Sequence, residues 1–298
     1  LTLTPVLRWS YYNRKPTTDN NDKFGLASRS DSKVTPGITL TLSPSKQLSF
    51  YASVQTGYRP PFLDELYTSI EYPEFGMYSV VLPNPDLKPE ESINVEIGVN
   101  GDYKSLFSDS DRFVFHANVF RDRVKNLINA GATGDMDFTD DGDMILYYSI
   151  DNVGKALKTG FEASADYYPG NADFHLSYGY LHAEDKNTGE KIPGLTPMQA
   201  TFRAGYTYKP WNVNGWYRMR LFKGGKSNLE TARNSGEYKQ LGGFATHTLG
   251  LTWKPQIKDW ADFTLTFSVD NITNKKFRYL NGGYGVGRSY RAWLSATF

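Results

Sequence analysis

The sequence has 298 residues and no Cys, which rules out a disulfide framework and any thiolate metal site. Its 33 Lys and Arg against 32 Asp and Glu leave it almost neutral, without the basic excess that a nucleic-acid partner requires. Aromatic residues make up 15% of a chain that is polar on average, more rings than so polar a soluble core would use.

Period-2 alternation dominates the chain from its first residues. Strand-like segments lie near 1–12, 34–43 and 47–58. Ile93, Val95, Ile97 and Val99 then alternate with Asn94, Glu96, Gly98 and Asn100, and a further segment lies near 112–121. Phe161, Ala163, Ala165 and Tyr167 alternate with Glu162, Ser164 and Asp166, followed by segments near 173–182, 202–207, 215–222 and 244–253. Phe263, Leu265, Phe267 and Val269 alternate with Thr264, Thr266, Ser268 and Asp270, and the last segment, 288–298, places Tyr290, Ala292, Leu294, Ala296 and Phe298 on one phase. These make about twelve strands of roughly the 9–11 residues that a tilted membrane strand needs.

The connectors alternate in length. Short ones hold Ser43-Pro44-Ser45, Pro169-Gly170-Asn171 and Pro210-Trp211-Asn212. Long ones fall near 13–33, 59–90, 122–146, 183–197, 223–242 and 279–287. Short periplasmic turns against long outer loops mark an outer-membrane barrel. The sequence is therefore expected to be all-β, a transmembrane antiparallel β-barrel, with no soluble domain and no helix-period segment. No run of about 18 apolar residues occurs, and barrel strands need none. Arg8, Glu96, Glu162, Arg203 and Arg218 fall on the polar phase, which must then face the lumen, because a charge on the lipid face costs roughly 2–4 kcal/mol at the midplane. Trp9, Tyr11, Tyr167, Tyr168, Tyr206, Tyr208 and Trp253 sit at strand ends, where amphipathic rings suit the interface. The chain opens inside a strand-like segment, Leu1-Thr2-Leu3-Thr4, and is read as part of a larger barrel.

Five stretches carry a resemblance to a family. Tyr58-Arg59-Pro60-Pro61-Phe62-Leu63-Asp64-Glu65-Leu66-Tyr67 and Asn84-Pro85-Asp86-Leu87-Lys88-Pro89-Glu90 resemble the "(F/Y)RAP…ELY" and "NPNLKPE" boxes of TonB-dependent outer-membrane receptors. Asn152-Val153-Gly154-Lys155-Ala156 with Gly160-Phe161-Glu162 resembles their "N.GKA…G.E" strand. Asp270 to Phe277 resembles the penultimate strand, and Gly287-Arg288-Ser289-Tyr290-Arg291 the "GR.(Y/F)" of the last one. The resemblance implies a 22-strand barrel around a plug. Residues 1–298 would be its C-terminal portion, with the plug, the N-terminal strands and the segment that engages TonB outside it. It also implies a receptor in the outer membrane of a Gram-negative bacterium, amid outer-membrane lipid and lipopolysaccharide. The receptor would carry a scarce iron-containing ligand, haem or haemoprotein first and ferric siderophore second, and hold no permanent cofactor.

Where haem receptors of this family place an axial His between the first two boxes, residues 60–83 hold none; Tyr67, Tyr72, Phe75, Met77 and Tyr78 stand there instead. Tyr is itself a haem ligand type. Tyr67, Tyr72 and Tyr78, with Arg59, are the candidate ligand-binding residues, Tyr78 or Tyr72 being the contact. Arg59 has two readings: a clamp on Asp64, Glu65 or a lumen acid, or a bidentate partner for a ligand carboxylate. His116 and His175 fall on lumen phases, His247 on the apolar phase, and His182 at a strand's outer end. Arg218, Arg220, Lys223 and Lys226 form a basic strand end. The acidic stretch 135–143 is either a solvated loop or a calcium loop. No catalytic motif and no zinc spacing is present; a barrel enzyme of the phospholipase kind and a passive pore remain the alternatives.

Overall fold

A computed structural model of the chain describes residues 1–15, 28–67, 69–74, 77–230, 237–255 and 261–297. Phe75 and Phe298, both named above, lie outside the described residues. The elements run β1 (Thr2–Arg14), β2 (Arg29–Leu42), β3 (Leu48–Arg59), α1 (Leu63–Tyr67), β4 (Ile70–Glu74), β5 (Met77–Leu82), β6 (Glu90–Lys104), β7 (Asp111–Phe138) and β8 (Met144–Pro169). They continue with β9 (Ala172–Asp185), β10 (Met198–Tyr208), β11 (Val213–Phe222), β12 (Gly225–Glu230), β13 (Tyr238–Leu241), β14 (Phe244–Trp253), β15 (Asp262–Asp270) and β16 (Ser289–Thr297).

Twelve strands pair in the order β1-β2-β3-β6-β7-β8-β9-β10-β11-β14-β15-β16, each antiparallel to the next in line. The period-2 pattern fixes the register, since a slip of one residue would turn every apolar side chain to the wrong face. One cross-strand row reads Leu40, Ala52, Ile97, Val119, Phe161 and Tyr180, an apolar band on the lipid side. Ile97 and Phe267 are more than half exposed, which is stable only against hydrocarbon. The opposite face is polar in the same orderly way. Asn100, His116, Ser164, Ser177, Thr201, Arg220 and Thr246 form one row. Asp166, His175, Arg203, Arg218, Thr248 and Asp270 form another.

Several of the lumen-side charges are paired. Arg203 pairs with Asp173, and Arg218 donates to Asp270 at 3.2 Å. Asp270 also meets Arg291 at 3.1 Å and accepts from the Thr248 hydroxyl at 3.0 Å. His116 Nδ1 meets Asn100 Oδ1 at 2.7 Å, and His175 Nδ1 meets Asp166 at 2.8 Å. His247 lies on the lipid-side phase, as expected, and shares a 2.6 Å hydrogen bond with the Tyr217 hydroxyl.

One rim carries short, self-satisfied turns. Ser45 Oγ accepts from the N–H groups of Gln47 and Leu48, and Asp111 from those of Leu106, Phe107 and Ser108. The other rim corrects the sequence reading. Residues 122–146 are not a long connector: β7 and β8 run on through them to the five-residue turn 139–143. Their alternation fails because register shifts at Lys125/Leu127 and Ala132/Met136 reset the phase, and because Gly and Asp interrupt the apolar positions. The 59–90 and 223–242 connectors each contain a hairpin, β4–β5 and β12–β13.

Gly160 shows how closely the strands approach. A Cβ there would stand 2.5 Å from the Tyr180 carbonyl oxygen and 2.4 Å from the Phe120 ring. The ring can yield but the backbone cannot, and overpacking of this kind costs up to about 3 kcal/mol. Gly160→Ala is therefore expected to lower the amount of assembled, heat-modifiable barrel; unchanged assembly would mean that β8 and β9 can part at this point.

Candidate functional site

The candidate site stands on the rim of the long connectors and begins with Arg59, the last residue of β3. Strand alternation from Ser53 and from Glu96 puts Arg59 and its cross-strand partner Glu90 on the lumen phase. The apolar run of β6 begins at Ile93, so both lie beyond the membrane band. The Arg59 guanidinium forks. Nε and Nη2 donate to the two oxygens of Glu90 at 2.8 and 2.7 Å, and Nη1 donates to both oxygens of Glu65 at 3.0 Å. Each carboxylate then takes a backbone donor: Glu65 the Phe62 N–H at 2.6 Å and Glu90 the Ile128 N–H at 2.9 Å. Burial works to raise the Glu90 pKa, but the Arg59 fork and the Ile128 N–H outweigh it and hold the carboxyl below its ordinary range.

This fork ties α1 to the rim. Leu66 and Leu87 are fully buried and pack with Ile128, Tyr67 and Ile150, the one cluster of buried hydrophobics that the described residues hold. A single-layer sheet has no interior of its own, so the apolar core forms where the connector folds back across β6 and β7. Ile128, Ile150 and Asn152 share one face of the β7–β8 extension, the face on which α1 packs.

Beyond α1, β4 and β5 pair as a hairpin, and β5 adds to β8 in parallel, Met77 opposite Met144 through Leu82 opposite Ser149. The second box returns the chain to β6. Asn84 Oδ1 accepts from Asp86 N–H at 3.1 Å, while its Nδ2 donates to the Ile150 carbonyl at 2.9 Å and to Asp151 at 2.7 Å. Asn152, from the third box, accepts the Lys88 N–H at 2.7 Å and donates to the carbonyls of Lys88 and Asn126, both at 2.8 Å. Three stretches far apart in sequence thus form one joint. The last two boxes form a second: Asn271 bonds Lys275 and Val286, and Arg288 bonds Asn274 and Ile272.

The structure separates the four candidates. Arg59 is engaged by two carboxylates, and Tyr67 packs in the buried cluster. Tyr72 stands opposite Ser79 and Pro73 opposite Tyr78, so positions 72 and 78 lie on opposite faces of the hairpin. Position 72 falls on the face of Leu146 and Ile150, with α1; position 78 falls on the other, with Ile145. The side chain of Tyr72 is outside those described. Of the basic group, Arg218 is paired with Asp270 and Lys226 with Glu190. The acidic stretch divides: Asp135 and Asp137 belong to β7, and Asp140, Asp141 and Asp143 to the turn. Among the described residues no three His, Asp or Glu side chains group to hold a metal ion. Sequence reasoning missed Asn126, whose φ of +55° marks the β7 bulge that receives Asn152.

Residues 1–272 match the family model described as "TonB dependent receptor-like, beta-barrel". The chain belongs to the TonB-dependent receptor β-barrel family. Among curated relatives of this receptor barrel, "Heme/hemopexin utilization protein C" of Haemophilus influenzae is 24% identical over 93% of this chain and 38% of its own length. "Hemoglobin and hemoglobin-haptoglobin-binding protein A" of the same species is 26% identical over 80% of this chain and 22% of its own. The fold matches the FrpB iron transporter of Neisseria meningitidis, with TM-score 0.68 and 19% identity over 98% of this chain and 42% of that one. It also matches the ferric enterobactin receptor of Pseudomonas aeruginosa, with TM-score 0.70 and 20% identity over 99% and 42%. The chain thus spans about two fifths or less of the proteins it matches. TonB-dependent receptor barrels stand in the outer membrane of Gram-negative bacteria and are receptors and importers rather than enzymes, which sets the phospholipase-like alternative aside.

Proposed function

We propose that these residues are the C-terminal portion of a receptor that captures an iron-containing ligand outside the cell and imports it with energy from TonB. Haem or haemoprotein comes first and ferric siderophore second, because the relatives named for haem and haemoglobin align over most of the chain. The plug, the N-terminal strands and the TonB-engaging segment belong to the rest of the receptor, and the ligand is cargo, not a resident cofactor. The observation that carries the reading is the mounted hairpin: a Tyr-bearing β4–β5 pair fixed on the long-connector rim by the joint around Arg59 and Asn152. Its fixed geometry lowers the entropy lost on capture. Position 72, on the α1 side, supplies the contact, and Arg59 holds the base.

Cells expressing the full-length receptor are expected to grow on hemin as sole iron source only when TonB is present. Equal growth without TonB would favour a passive pore. Orientation gives a second test. An epitope inserted beside Asp141 is expected to be labelled on intact cells and one beside Asn171 is not, because long connectors of such barrels face outward. The reverse pattern would invert the assignment.

A further inference from the structure

We propose that Asn152 is a positioning residue: its carboxamide fastens the returning end of the 60–89 connector to β7 and β8 and so sets the register in which the β4–β5 hairpin is carried on β8. The fastening lies beside a gap in the pairing. β9 accompanies β8 only as far as Ala156, opposite Asp185. β5 takes up the same edge from Ser149 outward to Met144. Between them, residues 150–154 of β8 have neither strand beside them, while just past β9 the Lys186 N–H donates to the Lys155 carbonyl at 2.8 Å.

Two side-chain amides hold the connector at that gap. Asn84 Nδ2 bonds the Ile150 carbonyl. Asn152 bonds both the N–H and the C=O of Lys88 as a neighbouring peptide would, and bonds Asn126 O across the other side. A carboxamide offers one carbonyl oxygen and two N–H donors, and this one uses all three groups. Asn126 completes the link by donating to the Pro89 carbonyl at 3.2 Å. The first foot of the 60–89 connector is held by Arg59 on Glu65, so Asn152 is the fastening of the second foot. Without it, the six paired residues of β5 remain with the Asn84, Asn126 and Arg29 bonds to Ile150, Pro89 and Pro85, and the backbone of Lys88 loses its link to β8. The consequence for ligand affinity rests on the function proposed above; the consequence for register does not.

The register is read without any ligand by placing cysteines at Val80 and Tyr147, which stand opposite each other across β5 and β8 in a stretch that has no native Cys. In the full-length receptor, V80C/Y147C is expected to oxidise rapidly to a disulfide. Adding Asn152→Ala is expected to slow that oxidation at least tenfold at normal barrel abundance and to weaken hemin binding at least fivefold. Hemin affinity should return once the cross-link is closed. Asn152→Asp keeps the acceptor for Lys88 N–H and loses both donors, so it should give an intermediate oxidation rate, and it serves if the Ala variant does not assemble. An oxidation rate equal to that of V80C/Y147C alone in either variant overturns the proposal. Hemin binding that stays weak after cross-linking overturns the positioning role and makes Asn152 a ligand contact. If wild-type receptor binds no hemin, the functional reading fails, and the oxidation rates still decide the role of Asn152.

Discussion

Arg59→Ala is expected to release the connector 60–89 from the rim while the barrel stays assembled. The substitution removes four hydrogen bonds and leaves Glu65 and Glu90 charged and facing each other across the vacated space. Breaking a fully buried pair costs about 3–5 kcal/mol, and an exposed pair contributes about 0–1. With the Arg59 side chain 32% exposed, the expected loss is about 2 kcal/mol, roughly a thirtyfold rise in local opening. Protease cleavage within 60–89 on intact cells should rise accordingly, with surface abundance unchanged. Arg59→Lys should fall between, since an ammonium cannot span both carboxylates. The pH dependence has a definite sign. The folded-state pKa of Glu90 is depressed, so its contribution is present above the ordinary carboxylate range and is lost as pH falls through the folded value. The gap between wild type and R59A should therefore narrow in acid. Equal protease resistance in R59A and wild type at neutral pH would remove Arg59 from the joint.

Tyr72→Ala is expected to weaken ligand binding tenfold or more, about 1.4 kcal/mol, while Tyr78→Ala changes it less than threefold. The two positions lie on opposite faces of one hairpin, so a single planar ligand cannot stack on both. Position 72 shares its face with Leu146 and Ile150, the side on which α1 packs, and α1 is tied to a lumen-phase Arg. Loss of an aromatic contact and a phenol oxygen accounts for that magnitude. Comparable losses in both single variants would show that the ligand wraps the hairpin edge. A loss confined to Tyr78→Ala would move the site to the outer face.

The barrel strands were legible because the membrane enforces their pattern: between lipid and lumen every second residue must be apolar, as in Ile93 to Val99 and Phe263 to Val269. Beyond the bilayer that constraint lapses. β7 and β8 continue past Lys125 and Asn152 beyond the apolar band, and the sequence there reads as a loop although the backbone stays paired. Parallel addition of β5 to β8 left no mark either, since it joins segments more than sixty residues apart and depends on the connector crossing two intervening strands. The family boxes were legible as motifs but not as contacts. Arg59 carried two readings in sequence, and its pairing with Glu65 and Glu90 is the contact the structure shows. Asn152 was visible as a motif letter, whereas its partner Asn126 sits outside every box and is recognisable only by its left-handed backbone.

The most direct test of the receptor reading is a visible-absorption titration of the full-length protein with hemin, repeated with a ferric siderophore as competitor. A saturable change in the haem band at one equivalent, lost in Tyr72→Ala, is the predicted result. A featureless titration with hemin, together with no binding of the siderophore, would contradict it.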